Sequence, residues 1–362
     1  MDTHKIKVGI TQGDPNGVGL EVVLKTFEDS AMFDLCTPVL YGSVKAVAYH
    51  RKSLGLTTNY TPIRSAAEVA HNKLGVVNTH DDEVKIELGV PSVEAGESAR
   101  EALELAIKEY KEGLIDVLIT APIHKQTISG EKFPYSGHTE YLEACVGEGT
   151  KSLMILLKDD LRVALATTHI PISQVSAVLS QALIVDKVRI LYQSLKQDFG
   201  LRRPRIAVLS LNPHAGDGGL IGTEEQDFIV PAIEELKNDN ILAFGPYPAD
   251  GFFGSDRYMS FDAILAMYHD QGLAPFKALA MDEATNFTAG LPLVRTSPAH
   301  GTAYDIAGKG NASPASFRQA IYTAIDVFRT RRNDMQARVN PLRKSYFDRR
   351  DDSDRLRFRT PE

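Results

Sequence analysis

The chain has 362 residues, of which 43% are hydrophobic and 24% charged, so it can form about two domains, or one two-lobed domain, with a sizeable core. Its net charge of −7 argues against a large nucleic-acid interface, and its two distant cysteines exclude a disulfide framework. Residues 1–8 lack the apolar core of a secretory signal, and no stretch reaches the ~20 apolar residues of a membrane span, so we expect a cytoplasmic protein without membrane contact.

The first half of the chain alternates strand-like and helix-like segments, which is typical of an α/β fold with a largely parallel sheet. Residues 7–10 predict a strand, and a helix is expected from about Leu20, after a glycine-rich loop. Apolar residues at a spacing of four predict a helix over 91–111, which Gly113 ends. The apolar run 114–120 then predicts a buried strand.

The second half begins with two apolar runs, 152–157 and 162–167, around a short polar turn. This pattern predicts a β-hairpin, which in an α/β protein often forms a layer of its own. The residues Thr-Glu-Glu-Gln at 223–226 have the form of a capping box, so we expect a helix from there to about residue 237. Residues 313–329 predict an amphipathic helix, and the charged residues after it predict a solvated tail or a loosely docked helix end.

Three histidines each follow a strand-like run: His169 after 162–167, His214 after 205–211, and His269 after 263–268. Open α/β sheets bind ligands outside the carboxyl ends of their strands. Imidazoles gathered there indicate a divalent metal site with a position left open for substrate. The alternative is that each histidine is an ordinary polar residue at a strand end, because such wide spacing requires the fold to bring the ligands together.

Two loops admit both a structural and a functional interpretation. Residues 13–19, Gly-Asp-Pro-Asn-Gly-Val-Gly, match neither GxGxxG nor GxxxxGK[ST]. They form either a plain strand-to-helix turn or a helix N-terminus that faces an anion. Residues 136–140, Ser-Gly-His-Thr-Glu, carry functional side chains in a loop or form an ordinary N-cap at Thr139.

The stretch 268–305 is the richest in polar groups. Lys277 and Arg295 supply positive charge there, and Asn286 supplies an amide donor. Together these side chains favour binding of a phosphate or carboxylate, which arginine can hold with two hydrogen bonds. Each of them could instead be an ordinary surface residue.

A series of short motifs runs in one order along the chain. They are Thr-Gln-Gly-Asp-Pro-Asn-Gly at 11–17, Thr-Ala-Pro-Ile-His-Lys at 120–125, Gly-His-Thr-Glu at 137–140, Thr-His-Ile-Pro at 168–171, Leu-Asn-Pro-His-Ala-Gly at 211–216, Gly-Pro-Tyr-Pro-Ala-Asp at 245–250, Met-Tyr-His-Asp-Gln-Gly-Leu at 267–273, and the Gly-Leu-Pro, Arg-Thr-Ser and His-Gly-Thr-Ala run at 290–303. In this combination the chain resembles the 4-hydroxythreonine-4-phosphate dehydrogenase family of pyridoxal phosphate biosynthesis.

The resemblance implies an α/β fold with two lobes, like that of isocitrate and isopropylmalate dehydrogenases, and an active site in the cleft between the lobes. Residues 1–135 with 285–330 would form the cofactor-side lobe, 136–284 the metal-binding and dimerisation lobe, and 331–362 a charged tail. The family works as a homodimer with a shared active site.

The resemblance also implies roles for individual residues. The metal ligands would be His169, His214 and His269, with His269 contributed by the other subunit. The substrate contacts would be His138, Thr139, Lys277, Asn286 and Arg295. The candidate proton-transfer residues are Asp250, Asp270 and Lys125.

The implied reaction is oxidation of 4-phosphooxy-L-threonine at its secondary hydroxyl by NAD or NADP, with one divalent metal ion (zinc, magnesium or cobalt). Decarboxylation to 3-amino-2-oxopropyl phosphate would follow. One departure bears on the cofactor: Pro298-Ala299 precede His300 where the family pattern has an acidic residue. Two alternatives stay open, a dehydrogenase of erythronate or threonate 4-phosphate and a metal-dependent hydrolase that uses the same histidines.

Overall fold

The structure is a computed structural model that describes residues 5–79 and 85–339. Within these residues, twelve strands form one sheet, in the order β3-β4-β2-β1-β5-β12-β11-β6-β7-β10-β8-β9. The strands are β1 Lys7–Thr11, β2 Thr37–Gly42, β3 Tyr60–Ile63, β4 Leu74–Asn78, β5 Val117–Thr120, β6 Leu153–Lys158, β7 Leu161–Leu165, β8 Arg205–Leu209, β9 Leu242–Tyr247, β10 Ala263–Ala266, β11 Thr285–Ala289 and β12 Arg295–Pro298. This architecture confirms the predicted α/β class.

Helices cover both faces of the sheet. They are α1 Gly19–Thr26, α2 Met32–Leu35, α3 Val44–Ser53, α4 Val93–Lys111, α5 Lys125–Ile128, α6 His138–Val146, α7 Val175–Val178, α8 Gln181–Gln197, α9 Val230–Asn238, α10 Ala249–Phe253, α11 His269–Ala280 and α12 Ala315–Val339. The helix predicted over 91–111 begins at Val93, because the Ser92 hydroxyl accepts the Ala95 N–H and caps it.

The sheet is parallel only within two blocks that run in opposite directions. Strands β1 to β5 and β12 are mutually parallel, and so are β7, β10, β8 and β9. The antiparallel pairs β12-β11, β11-β6 and β6-β7 join the blocks and reverse the direction. The expectation of a largely parallel sheet therefore holds for each block but not across the join.

The predicted hairpin is confirmed as β6 and β7, which pair antiparallel. It does not form a layer of its own, because β6 also pairs with β11 and β7 with β10. The hairpin thus lies inside the sheet and connects its two blocks. The three strands that precede the candidate metal ligands, β7, β10 and β8, are parallel neighbours, so their carboxyl ends share one edge.

One helix prediction is confirmed and one needs correction. The helix expected from the capping box at 223–226 runs over 224–238; its first part is the π-turn Glu225–Ile229, and the Thr223 hydroxyl donates to Asp227. The last helix does not end near residue 329 but runs to Val339, and Arg331 anchors it by donating to the Asp198 carboxylate at 2.6 Å. The charged tail therefore begins within α12, and residues 340–362 lie outside the described residues.

The buried apolar residues form different clusters on the two faces of the sheet. On one face of the sheet a single cluster runs beneath α1, α8, α9 and α12 and spans both blocks. On the other face the core divides into two clusters, one beneath α4 and one beneath α11. The division falls over β12 and β11, where the polar side chains of Arg295 and Thr288 replace apolar ones. This split supports two lobes, whose boundaries near 135 and 285 stay a prediction.

Candidate active site

Arg295, the first residue of β12, is a buried cation at the place where the core divides. Its side chain is only 3% exposed. The guanidinium donates to the hydroxyl of Thr120 through Nε at 3.1 Å and Nη2 at 2.5 Å, and to the hydroxyl of Thr288 at 3.1 Å. Burial lowers the pKa of Arg295 to about 10, and the acid that opposes this shift is Glu140. A buried cation that neutral hydroxyls hold in place is suited to bind an anion.

His138 adjoins this guanidinium at the start of α6. Its Nδ1 lies 3.3 Å from Nη2 of Arg295, and its buried Nε2 has no hydrogen-bond partner. Burial, with Arg295 and Lys125 as neighbouring cations, holds the pKa of His138 well below its usual range, so the ring is neutral near pH 7. The unpartnered Nε2 is therefore free to meet a ligand atom. Thr139 follows in the first turn of α6.

Two of the three predicted metal ligands meet within one chain. The ring centroids of His169 and His269 are 6.0 Å apart, and both residues line a cavity of about 310 Å³. Nδ1 of His269 is 2.7 Å from a carboxylate oxygen of Asp270, which orients the ring. Nζ of Lys125 lies 3.2 Å from Nε2 of His169. Burial, followed by the charge of Lys125, lowers the pKa of His169.

His214 is exposed, in a loop after β8. The loop is a left-handed turn, since the five residues from His214 to Gly218 all have positive φ. Within residues 5–79 and 85–339 of one chain, no three His, Cys, Asp or Glu side chains are close enough together to hold a metal ion. The fold thus aligns the three histidines along one edge but gathers only two of them.

The other predicted residues are spread around the cleft. The side chain of Asn286, on β11, lies on the same sheet face as Thr288, and its buried Oδ1 has no partner. Lys277 is half-buried on α11, and Asp250 is exposed on α10. Sequence reasoning missed Thr120 and Thr288. The signal for Thr120 was a threonine at the end of the apolar strand β5, which is too common to be informative, and Thr288 lies inside the mixed strand β11 without a signal of its own.

A protein-family comparison bears on this geometry. Residues 34–324 match the model of the family described as pyridoxal phosphate biosynthetic protein PdxA. The chain belongs to the PdxA family. A 4-hydroxythreonine-4-phosphate dehydrogenase of Bacteroides thetaiotaomicron is 62% identical over 360 residues and covers 99% of each chain. A protein of the same name from Sulfurihydrogenibium is 42% identical, over 90% of this chain and 100% of its own.

A solved structure agrees with this assignment. The crystal structure of 4-hydroxythreonine-4-phosphate dehydrogenase from Klebsiella pneumoniae superposes with a TM-score of 0.79 at 31% identity. The superposition covers 91% of this chain and 99% of that one. The family resemblance inferred from the motifs is confirmed. No helix among the described parts of this PdxA-family chain is long and apolar enough to cross a membrane.

A second polar cluster of the PdxA-family chain joins the loops after β1, β5 and β12. The hydroxyl of Tyr304 donates to a carboxylate oxygen of Asp14 at 2.6 Å, and the rings of His124 and Tyr304 are 5.5 Å apart. Burial raises the pKa of Asp14, although its hydrogen bonds oppose this. A Cβ atom on Gly17 would lie 2.7 Å from the carbonyl oxygen of Thr302, so glycine is required for this close approach. The loop 13–19 therefore docks against the segment that carries the Pro298-Ala299 departure.

The imidazoles of His169, His214 and His269 are side chains of a type that binds divalent metals. His169 is neutral at pH 7, which is the ligating form, and Asp270 orients the His269 ring as carboxylates orient metal-binding histidines. Two imidazoles leave a site that needs a further ligand. His214 is the candidate, because β8 directly adjoins β10.

Proposed function

We propose that this PdxA-family chain is a 4-hydroxythreonine-4-phosphate dehydrogenase. It would oxidise 4-phosphooxy-L-threonine with NAD or NADP and release carbon dioxide. The observation that carries the proposal is the buried Arg295 guanidinium, held by neutral hydroxyls in the cleft that also contains His138 and His169. The names of the relatives at 62% and 42% identity support the same activity.

Arg295 and His138 would bind an anionic group of the substrate. The guanidinium supplies charge, and the unpartnered Nε2 of His138 supplies a further polar contact. Asn286 has a buried Oδ1 free to accept a hydrogen bond from the substrate's amino group. Thr139 and Lys277 complete the proposed substrate contacts. Holding the anion in this way places the reacting carbon beside the imidazoles.

His169, His214 and His269 would hold one zinc, magnesium or cobalt ion. When bound, such an ion lowers the pKa of the substrate hydroxyl and stabilises negative charge on its oxygen during decarboxylation. The protein's own part is to orient the rings, to keep His169 neutral through burial and to leave a coordination position open. Asp270 performs the first of these tasks for His269.

Lys125 is the proton-transfer group that the geometry favours. It contacts His169 directly, whereas Asp270 already orients His269 and Asp250 is exposed on α10. In the proposed reaction the Lys125 ammonium first releases a proton to solvent, the neutral amine then accepts the proton of the substrate hydroxyl, and the substrate carbon gives hydride to the nicotinamide. The resulting β-keto acid loses carbon dioxide, and the enolate that forms takes the proton from Lys125 at carbon to give the ketone.

We also propose a homodimer with a shared site, in which His269 of the partner subunit joins His169 and His214. Exposed apolar side chains surround this edge of the sheet, including Ile172 at 76% and Leu220 at 82% exposure. A second copy covering them would exclude water from the site. The competing arrangement keeps His169 and His269 as partners within one chain. The two free cysteines fit the reducing cytoplasm, where we place the enzyme.

The test is reduced-nicotinamide absorbance with 4-phosphooxy-L-threonine, a divalent metal, and NAD or NADP, beside erythronate and threonate 4-phosphates. Turnover of the threonine compound alone is expected. Turnover of a sugar-acid phosphate alone would contradict the proposed substrate and keep the hydride chemistry. Phosphate release without nicotinamide reduction would contradict the dehydrogenase and support the hydrolase.

A further inference from the structure

The loop that carries His214 is wrapped around two consecutive glutamates, which the proposed reaction does not use. Glu225 is 3% exposed. Its Oε1 accepts the backbone N–H groups of Leu211 and Asn212, both at 2.8 Å, and its Oε2 accepts the side-chain amide of Asn212 at 3.0 Å. Three N–H donors thus satisfy a buried carboxylate at the base of the His214 loop, two residues before the histidine.

Glu224 extends this contact to a second segment. Its Oε2 accepts the Asn212 amide at 2.7 Å, and its Oε1 accepts the hydroxyl of Ser176 at 2.6 Å. Ser176 lies in α7, which follows the His169 segment. Glu224 therefore links the loop of one proposed metal ligand to the segment that follows another, within one chain.

The backbone around Glu224 and Glu225 has a conformation that permits these hydrogen bonds. The π-turn Glu225–Ile229 begins at these acids, and π-turns occur often at functional sites. A Cβ atom on Gly216 would lie 2.7 Å from Oε2 of Glu225. One on Gly222 would lie 2.6 Å from both Asn212 and Glu224. Both glycines also have positive φ, so they let the loop close around the two carboxylates.

We propose that Glu225 and Glu224 are positioning residues for the metal site. Glu225 holds the backbone of the loop that carries His214. Glu224 holds this loop at a fixed distance from the segment that follows His169. Metal affinity then depends on both acids, although neither of them binds the ion. The inference rests on the proposed function, since that is where His214 is assigned as a ligand. Partners that orient ligands in this way typically contribute about 10- to 100-fold to metal affinity.

The experiment is a Co²⁺ titration of the full chain, followed by the visible absorption of the bound ion. Glu225→Gln replaces an acceptor oxygen with an amide that faces the Asn212 amide, so we expect Co²⁺ binding to weaken about 10- to 100-fold. Ser176→Ala breaks only the Glu224 link on an exposed side chain and should weaken binding several-fold. Glu234→Gln is the matched control, because Glu234 is exposed on α9.

The melting temperature of each variant shows whether weaker Co²⁺ binding comes from a misplaced ligand or from loss of the fold. If Glu225→Gln does not fold, Ser176→Ala still decides the inference. Wild-type affinity for Co²⁺ in both Glu225→Gln and Ser176→Ala would overturn it. His214→Ala tests the proposed function in the same titration: unchanged Co²⁺ binding there would remove His214 from the site, whatever the glutamate variants do.

Discussion

The variant Arg295→Met tests whether this arginine contributes to the stability of the fold or to substrate binding. The guanidinium is 3% exposed, and burial lowers its pKa from the ordinary arginine value to about 10. That shift corresponds to about 3 kcal/mol against the charged form in the folded protein. Methionine removes this cost with a side chain of similar length. The change leaves the hydroxyls of Thr120 and Thr288 without their donor, at about 1 kcal/mol each.

The free energy of unfolding of Arg295→Met should therefore stay unchanged or rise by about 1 kcal/mol. Substrate binding, in contrast, should become weaker. Loss of a buried cation that holds an anion costs about 2–4 kcal/mol, or about 30- to 1,000-fold in kcat/KM. Arg295→Lys keeps the charge but not the planar pair of donors and should fall between these limits.

The assay pairs thermal melts with steady-state kinetics in the phosphorylated substrate. Substrate should raise the melting temperature of the wild type and of the control Arg202→Met, which changes an exposed arginine, but not of Arg295→Met. A clear drop in the melting temperature of Arg295→Met with unchanged kcat/KM would show that the arginine serves the fold. That result would refute an anion site at Arg295.

Three further predictions address pH, subunit exchange and the polar cluster of Asp14 and Tyr304. Because the pKa of His138 is well below 6.5, the unfolded chain binds more protons than the folded one as pH falls, so stability should drop between pH 6.5 and 5. Thermal melts of His138→Gln across this range should show a smaller drop, and an unchanged slope would contradict the shift. Co-expressed His169→Ala and His269→Ala chains should recover about a quarter of wild-type activity if the site is shared between subunits, because half of the dimers then hold one intact site. Intact dimers without activity would place both histidines of a site in one chain. Tyr304→Phe removes a donor from the buried Asp14 carboxylate and should cost about 1–3 kcal/mol of stability. It should also raise the KM for the nicotinamide more than the KM for the phosphorylated substrate, and equal changes in the two KM values would exclude a role in cofactor binding.

The three histidines predicted as metal ligands illustrate what local patterns predict well. His169, His214 and His269 stand after strands because apolar runs end there, and the parallel order of β7, β10 and β8 brings them to one edge. Their mutual distances depend on loop conformation. Five left-handed residues after β8 leave the His214 side chain exposed, and no periodicity in the sequence encodes that turn.

The hairpin and the capping box show what a local sequence pattern predicts and what it leaves to tertiary contacts. The pairing of β6 with β7 follows from two apolar runs around a polar turn. The helix expected from the capping box also forms, over 224–238, but the Thr223 hydroxyl donates to Asp227, and Glu225 accepts backbone N–H groups at the base of the His214 loop. The local pattern thus predicted the helix, and tertiary contacts decided the hydrogen bonds at its start.

By itself, the sequence determined the α/β class, the positions of several helices and strands, the motif order that resembles one family, and the kinds of side chain available for chemistry. These follow from short-range periodicity and residue type, which each segment carries independently of the rest. Only the tertiary structure decided that Thr120 and Thr288 hold Arg295, that Lys125 meets His169, and that the sheet reverses direction at the cleft. Those contacts join residues up to 175 positions apart, and the packing of the whole core selects them.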